Sequence, residues 1–174
     1  MILGAVRTHR EPMAGFTAIE LMVTVAIIAI LLALAIPSFN DATLSSQLAA
    51  NANRLSGSAT MARSEAIKRN SNVIVCMSSN GMSCATSGGW EQGWIILSGS
   101  TVLLQEQAAN LGLKLNVVPT TATSLTFDAT GVGTTQADFT ICRATPTVGS
   151  QQRVVSISAT GRISVTKATT TSCA

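Results

Sequence analysis

Between Phe16 and Ile36 the chain reads FTAIELMVTVAIIAILLALAI, and from Leu21 to Ile36 Thr24 is the one polar residue. Drawn as a helix, this stretch is apolar on every face rather than along one stripe. Such a helix has no side to offer water, so it belongs in lipid or inside an assembly. It counts 21 residues, and a bilayer core is crossed by about 20. Glu20 is the exception. A carboxylate near the start of an apolar run is costly and is usually kept for a partner. Two plainer uses of the segment are an uncleaved signal anchor and a secretory signal with Ala33-Leu34-Ala35 as its cleavage-like site. Pro37 just behind that site, and Glu20 within the apolar region, disfavour the second.

Ahead of the apolar run, Met1 to Gly15 carries Arg7, Arg10 and Glu11 around His9 and Pro12. A basic segment before an apolar helix stays cytoplasmic, so the rest of the chain faces the other side of the membrane. The formal net charge is +3; without Arg7, Arg10 and Glu11 it becomes +2. That is not by itself a nucleic-acid-binding composition. Four cysteines, Cys76, Cys84, Cys142 and Cys173, all fall on the exported side, where an even number implies two disulfides. Of three possible connectivities, Cys76–Cys84 with Cys142–Cys173 is preferred. The first closes a short loop rich in turn residues, and the second pins the tail to a strand. A metal site is a weak alternative, because there is no C-x-x-C pair and the sole histidine, His9, precedes Phe16.

After Pro37, which removes one backbone hydrogen bond and bends the helix, the pattern turns amphipathic. Leu44, Leu48, Leu55, Ala59, Ala62 and Ala66 recur at helical spacing, with Asn51, Asn53, Arg54, Arg63, Lys68 and Arg69 mostly elsewhere. The spacing predicts a helix to about Arg69, stopping at Asn70-Ser71-Asn72. Gly57 weakens it by about 1 kcal/mol. From Val73 the period becomes two. Strands are expected at 73–76, 94–97, 101–104, 124–127, 138–142, 153–157 and 162–165, with a less regular one from Leu111 to Val118. A long helix followed by six to eight short strands is an α+β chain with an antiparallel sheet. The expected segments are 1–15 (leader), 16–36 (apolar helix), 37–70 (amphipathic helix) and 71–174 (β-rich globular domain).

Gly15-Phe16-Thr17-x-Ile19-Glu20-Leu21 followed by an apolar helix resembles the N-terminal signature of type IV pilins and type II secretion pseudopilins. The resemblance implies cleavage after Gly15 by a prepilin peptidase, N-methylation of Phe16 by the same enzyme, and pairing of Glu20 with the N-terminal amine of a neighbouring subunit. In low dielectric an unpaired carboxylate costs several kcal/mol, by a rough estimate, which an adjacent ammonium offsets. Further stretches resemble the GspH/FimT group of minor pilins. They are Met61 to Arg69, Val75-Cys76, Gly88-Gly89-Trp90-Glu91-Gln92-Gly93-Trp94, Phe127-Asp128-x-x-Gly131, and Arg153-Val154-Val155 leading to Ala159-Thr160-Gly161-Arg162. This implies a minor subunit, anchored once in the bacterial inner membrane with its C-terminal domain in the periplasm, then built into the tip of a pilus or pseudopilus among other pilins.

Trp90 and Trp94 are expected to pack a loop onto the sheet, and Asp128 to bond turn amides ahead of Gly131. No catalytic arrangement is visible. Glu91, Glu106, Asp128 and Asp138 are scattered, no nucleophile elbow or phosphate loop occurs, and no cofactor is implied. The chain is expected not to be an enzyme. The alternative to a purely structural role is capture of double-stranded DNA at a pilus tip, a role the resemblance attaches to a basic C-terminal segment beginning Gly-Arg. Here Gly161-Arg162 matches, Ser164 stands where a second arginine belongs, and Lys167, Arg143 and Arg153 are the cations that could join.

Overall fold

The computed structural model describes residues 15–110, 112–133 and 135–173, apart from the side chains of Ala35 and Pro37. The expected leader up to Ala14, and Leu111 at the head of the irregular strand, lie outside the described residues.

Helix α1 spans Ala18–Arg69, 52 residues, with helical assignment continuous through Pro37. Its start is a capping box that the sequence analysis did not single out. The Thr17 backbone N–H donates to Glu20 Oε2 at 2.9 Å, and the Glu20 N–H donates back to Thr17 Oγ1 at 3.3 Å. Its end is equally specific. Asn70 adopts φ 50°, its N–H donates to the Ile67 carbonyl, and the Ser71 N–H donates to the Ala66 carbonyl, each at 3.2 Å. That is a Schellman closure with asparagine in the left-handed position. Arg69, in the last turn, bonds Glu65 at 2.6 Å and favours the helix dipole.

Two units are distinguished, residues 1–40 and 41–174. In the second, Leu44, Leu48, Ala52, Leu55, Ala59, Ala62 and Ala66 form a fully buried stripe. Alanine at four of these seven positions gives the stripe little buried area per residue. Asn51, expected off the stripe, is buried as well. Its Nδ2 donates to the Gln47 carbonyl at 2.9 Å, which satisfies the polar group inside the core.

Eight strands follow: β1 Val73–Met77, β2 Trp94–Ser98, β3 Thr101–Glu106, β4 Leu113–Val118, β5 Ser124–Phe127, β6 Ala137–Arg143, β7 Gln151–Ile157 and β8 Ile163–Thr169. They form two four-stranded antiparallel sheets, ordered β3-β2-β1-β5 and β4-β6-β7-β8. Alternation of burial along β6 and β7 turns Phe139, Ile141, Val155 and Ile157 inward. With 3% aromatics, the core depends on few large side chains. Trp90, on a short 3-10 turn over Trp90–Gln92, meets Phe139 edge-on at 4.9 Å. Its indole N–H donates to the Ala122 carbonyl, and that of Trp94 to Ser58 Oγ, both at 2.9 Å. Both tryptophans are therefore core residues and offer no stacking face to a ligand.

Cys76 is bonded to Cys84, eight residues on, and Cys142 to Cys173, 31 residues on. The first ring is filled by its own turn. Asn80 Oδ1 accepts from the Met82 and Ser83 amides, and the Ser78 hydroxyl donates to the Ser83 carbonyl. The second strap ties the tail beyond β8 back to β6. In the chain-entropy account such closures contribute about 2.5 and 3.5 kcal/mol respectively. Replacing Cys142 and Cys173 with serine should accordingly lower stability by about 3–4 kcal/mol, and more than the Cys76/Cys84 pair does. Urea unfolding of the two double variants measures the ordering.

Candidate assembly site and the placement of the basic residues

The side chains described between Phe16 and Ile36 are exposed: Phe16 is 87% accessible, Leu21 62% and Ile30 63%. The most apolar 18-residue window of α1 has mean hydropathy 2.8, and none of it is buried within the chain. Apolar surface on this scale requires lipid or other protein around it. Thr24, the polar exception, turns its hydroxyl onto the Leu21 carbonyl at 2.9 Å and so presents no free donor.

At the head of this surface sits Glu20. Its Oε2 accepts from both the backbone N–H and the hydroxyl of Thr17, each at 2.9 Å. Oε1 has no partner among the described residues. One oxygen fastens the helix start and the other is not engaged among the described residues. Thr17 is thus the residue that sequence reasoning missed here, although the T-x-x-E spacing of Thr17 and Glu20 carries the signal.

The separate motifs of the globular unit meet at one place. Arg63, on the last turns of α1, donates from Nη1 to the Gly161 carbonyl at 3.1 Å. Gly131 and Gly161 take φ 78° and 73°, conformations that strain any side chain. A Cβ on Gly161 would run into the Gly131 carbonyl, and one on Gly131 would meet the Ile67 side chain. Asp128 closes the first of these turns, its Oδ1 accepting from the amides of Thr130 and Val132 and from the Thr130 hydroxyl. The stretches 61–69, 127–131 and 159–161 therefore hold one another.

Two of the acidic residues form ion pairs within the globular unit. Glu106 pairs with Arg54 at 2.7 Å, and Arg54 stacks over the Trp94 ring at 5.4 Å. Glu91 pairs with Lys114 at 3.2 Å.

Of the four cations named for DNA, two are engaged in the fold and two are exposed. Arg153 is 9% accessible and ties β7 to the helix, with Nη2 donating to Ser45 Oγ at 2.9 Å. Arg143 donates from Nε to the Thr147 carbonyl at 3.1 Å and orders the loop after β6. Arg162 is exposed and lines a shallow depression of about 200 Å³ with Asp138, Ser156 and Ser164. Lys167 is exposed too, paired in register with Arg153. Arg162 precedes β8, whereas Lys167 lies within it.

Two carboxyls outside the apolar segment are held below their ordinary values: Asp128 by the Thr130 hydroxyl and neighbouring amides, and Glu65 by the Arg69 guanidinium. A carboxyl lowered on folding contributes stability that is complete above its ordinary pKa and fades as pH falls through the folded value. Thermal unfolding followed from pH 6 down to pH 3 should show this acid loss, and Asp128→Asn should diminish it, because the asparagine has no proton to take up.

Residues 51–161 match the family described as Type II transport protein GspH. The fold is similar to crystal structures of the type IV minor pilin FimU of Pseudomonas aeruginosa. One, at 23% identity and TM-score 0.59, is matched over 75% of this chain and 97% of that one. A second crystal form, at 24% identity and TM-score 0.54, is matched over 73% and 100%. No curated protein sequence matches the chain.

Proposed function

The chain belongs to the GspH family of minor pilins and pseudopilins, and from that premise we propose that it copolymerises through the 16–36 helix and helps to start or cap a type IV pilus or type II secretion pseudopilus. The observation that carries the reading is the wholly exposed apolar segment with a single carboxylate at its head. In the proposed sequence of events, residues 1–15 are a leader removed after Gly15 by a prepilin peptidase, which then methylates the amine of Phe16. The 16–36 segment anchors the chain once in the inner membrane, the amphipathic 37–70 segment follows, and the globular part, 71–174, lies in the periplasm. On assembly, Glu20 Oε1 accepts the N-terminal ammonium of a neighbour while Oε2 stays on Thr17. A charge pair in a dry helix bundle offsets the desolvation of both ions, whereas either one alone is strongly unfavourable.

Glu20→Gln tests this. The variant should be processed and remain in the membrane, yet its amount in sheared fibres should fall by about tenfold or more, the equivalent of at least 1.4 kcal/mol. Incorporation equal to that of the unaltered chain would refute the carboxylate's role.

A second reading, capture of double-stranded DNA, rests on charge. From Phe139 to the end there is no acidic residue, while Arg143, Arg153, Arg162 and Lys167 all fall there. With Arg153 and Arg143 engaged in the fold, Arg162 and Lys167 are left to meet phosphates from the β8 rim. Such binding is weak and sequence-independent, and neutralising a cation that meets a phosphate should flatten the log-affinity against log-salt slope by about 0.9. Titrating labelled duplex against the full chain in detergent, with Arg162→Gln and Lys167→Gln alongside, decides it. No binding at low salt would eliminate DNA capture.

A further inference from the structure

The core packs Trp94 and Ile96 of β2, so alternation turns Ile95 to the outer face of the β3-β2-β1-β5 sheet. Ile95 is nonetheless 0% accessible. Its register partners are Cys76 on β1 and Gln105 on β3. The Cys76–Cys84 ring supplies the cover. It starts from Cys76, itself fully buried, and its Gly81 lies against Gln105, where a Cβ would run into the glutamine side chain. The ring thus crosses β2 above Ile95. The same face stays apolar beyond it: Leu97 lies two residues on, Ile74 pairs with Leu97, and Val102 lies opposite Leu97 on β3. The other sheet differs, since one row of its outer face carries Asp138, Ser156 and Ser164. A solvated antiparallel face is ordinarily polar in that way, and the face around Ile95 is not.

The body of the ring is bonded to itself, through Asn80 Oδ1 with the Met82 and Ser83 amides and the Ser78 hydroxyl with the Ser83 carbonyl. Its bonds to the strands sit at its mouth: the Ser78 N–H donates to the Gly93 carbonyl at 2.9 Å, and the Ala85 N–H to the Met77 carbonyl at 2.8 Å. The ring is therefore a flap with its own internal shape, and the sulfur bond at Cys84 ties down its far side. Cys84 is exposed, which leaves its sulfur open to a thiol, whereas in the second bond Cys142 is buried and Cys173 half-buried. We propose that Cys76–Cys84 is a redox-sensitive latch: closed, it holds the ring over Ile95; reduced by a dithiol, it lets the ring lift and opens a continuous apolar strip of Ile95, Leu97, Ile74 and Val102, with the core unchanged. In the step itself a thiolate of the dithiol attacks the Cys84 sulfur, the S–S bond breaks, and Cys76 leaves as a thiolate that takes up a proton. The dithiol's second thiol then displaces Cys84, leaving two protein thiols and one disulfide of the reductant. The proposal stands independently of the assembly reading.

The test titrates the full chain in detergent with dithiothreitol and tags the thiols that appear. Cys76 and Cys84 should be tagged at lower reductant than Cys142 and Cys173. At that point hydroxyl-radical footprinting, read residue by residue, should label Ile95 about tenfold more than in the oxidised chain, and the Met82, Ser83 and Ala85 amides should exchange with deuterium about tenfold faster. Trp94 and Ile96, on the opposite face of the same strand, should keep their labelling. Cys76→Ala with Cys84→Ala should reproduce the open state without reductant, and the titration of the parent chain answers the question even where that variant does not fold. Ile95 that stays unlabelled with both thiols free would overturn the latch. So would labelling of Trp94 and Ile96 in step with Ile95, which is unfolding rather than a lifted cover, or reduction of Cys142–Cys173 first.

Discussion

The globular unit depends on the buried stripe of α1 from Leu44 to Ala66. Two four-stranded sheets have inner faces that must be covered, and one helix face supplies the cover. Leu44 lies beside Gly149 near Arg143, and alanine takes the later positions Ala59, Ala62 and Ala66. The turns at Asp128–Gly131 and Ala159–Gly161 reach Arg63 and Ile67. A larger residue at Ala62 or Ala66 would push that junction apart, since overfilled cores shift backbone at a cost of about 1–3 kcal/mol.

The same helix carries two kinds of surface in succession. Its amphipathic half is satisfied within the chain. Its apolar half is not, because none of its most apolar window is buried there. One half of the helix is a fold element, and the other presents its apolar side chains outward. Glu20 shows the division within a single side chain, with one oxygen spent on its own helix and one left over.

Much of this was legible in the sequence because it rests on local signals. The helix end at Arg69 follows from Asn70, and strands such as Ser124–Phe127 from the two-residue period between turn residues. The apolar segment needed only counting. The division of eight strands into two sheets was not legible, because pairing is set by contacts far apart in sequence, such as Val73 with both Ser98 and Phe127. Nor was the burial of Arg153, since an arginine in an alternating strand shows its charge and hides the serine that will receive it. The cations of the C-terminal third look alike when read in one dimension, and the fold separates the buried Arg153 from the exposed Arg162 and Lys167. Thr17 was missed for another reason: its role as a cap was obscured by the apolar run that follows.

The strap from Cys142 to Cys173 has a mechanical meaning. A fibre subunit is loaded along its length, and a domain held only by sheet hydrogen bonds can be drawn out strand by strand. Here the two covalent rings enclose residues 76–84 and 142–173, so a pull between Phe16 and Cys173 cannot lengthen either ring however the sheets yield. β7 and β8, which lie inside the second ring, are bypassed by the load altogether. The extensible part of the molecule is then confined to α1 and the strands between the rings. What the disulfide sets, beyond folding stability, is how far the subunit can give before tension passes to its neighbours.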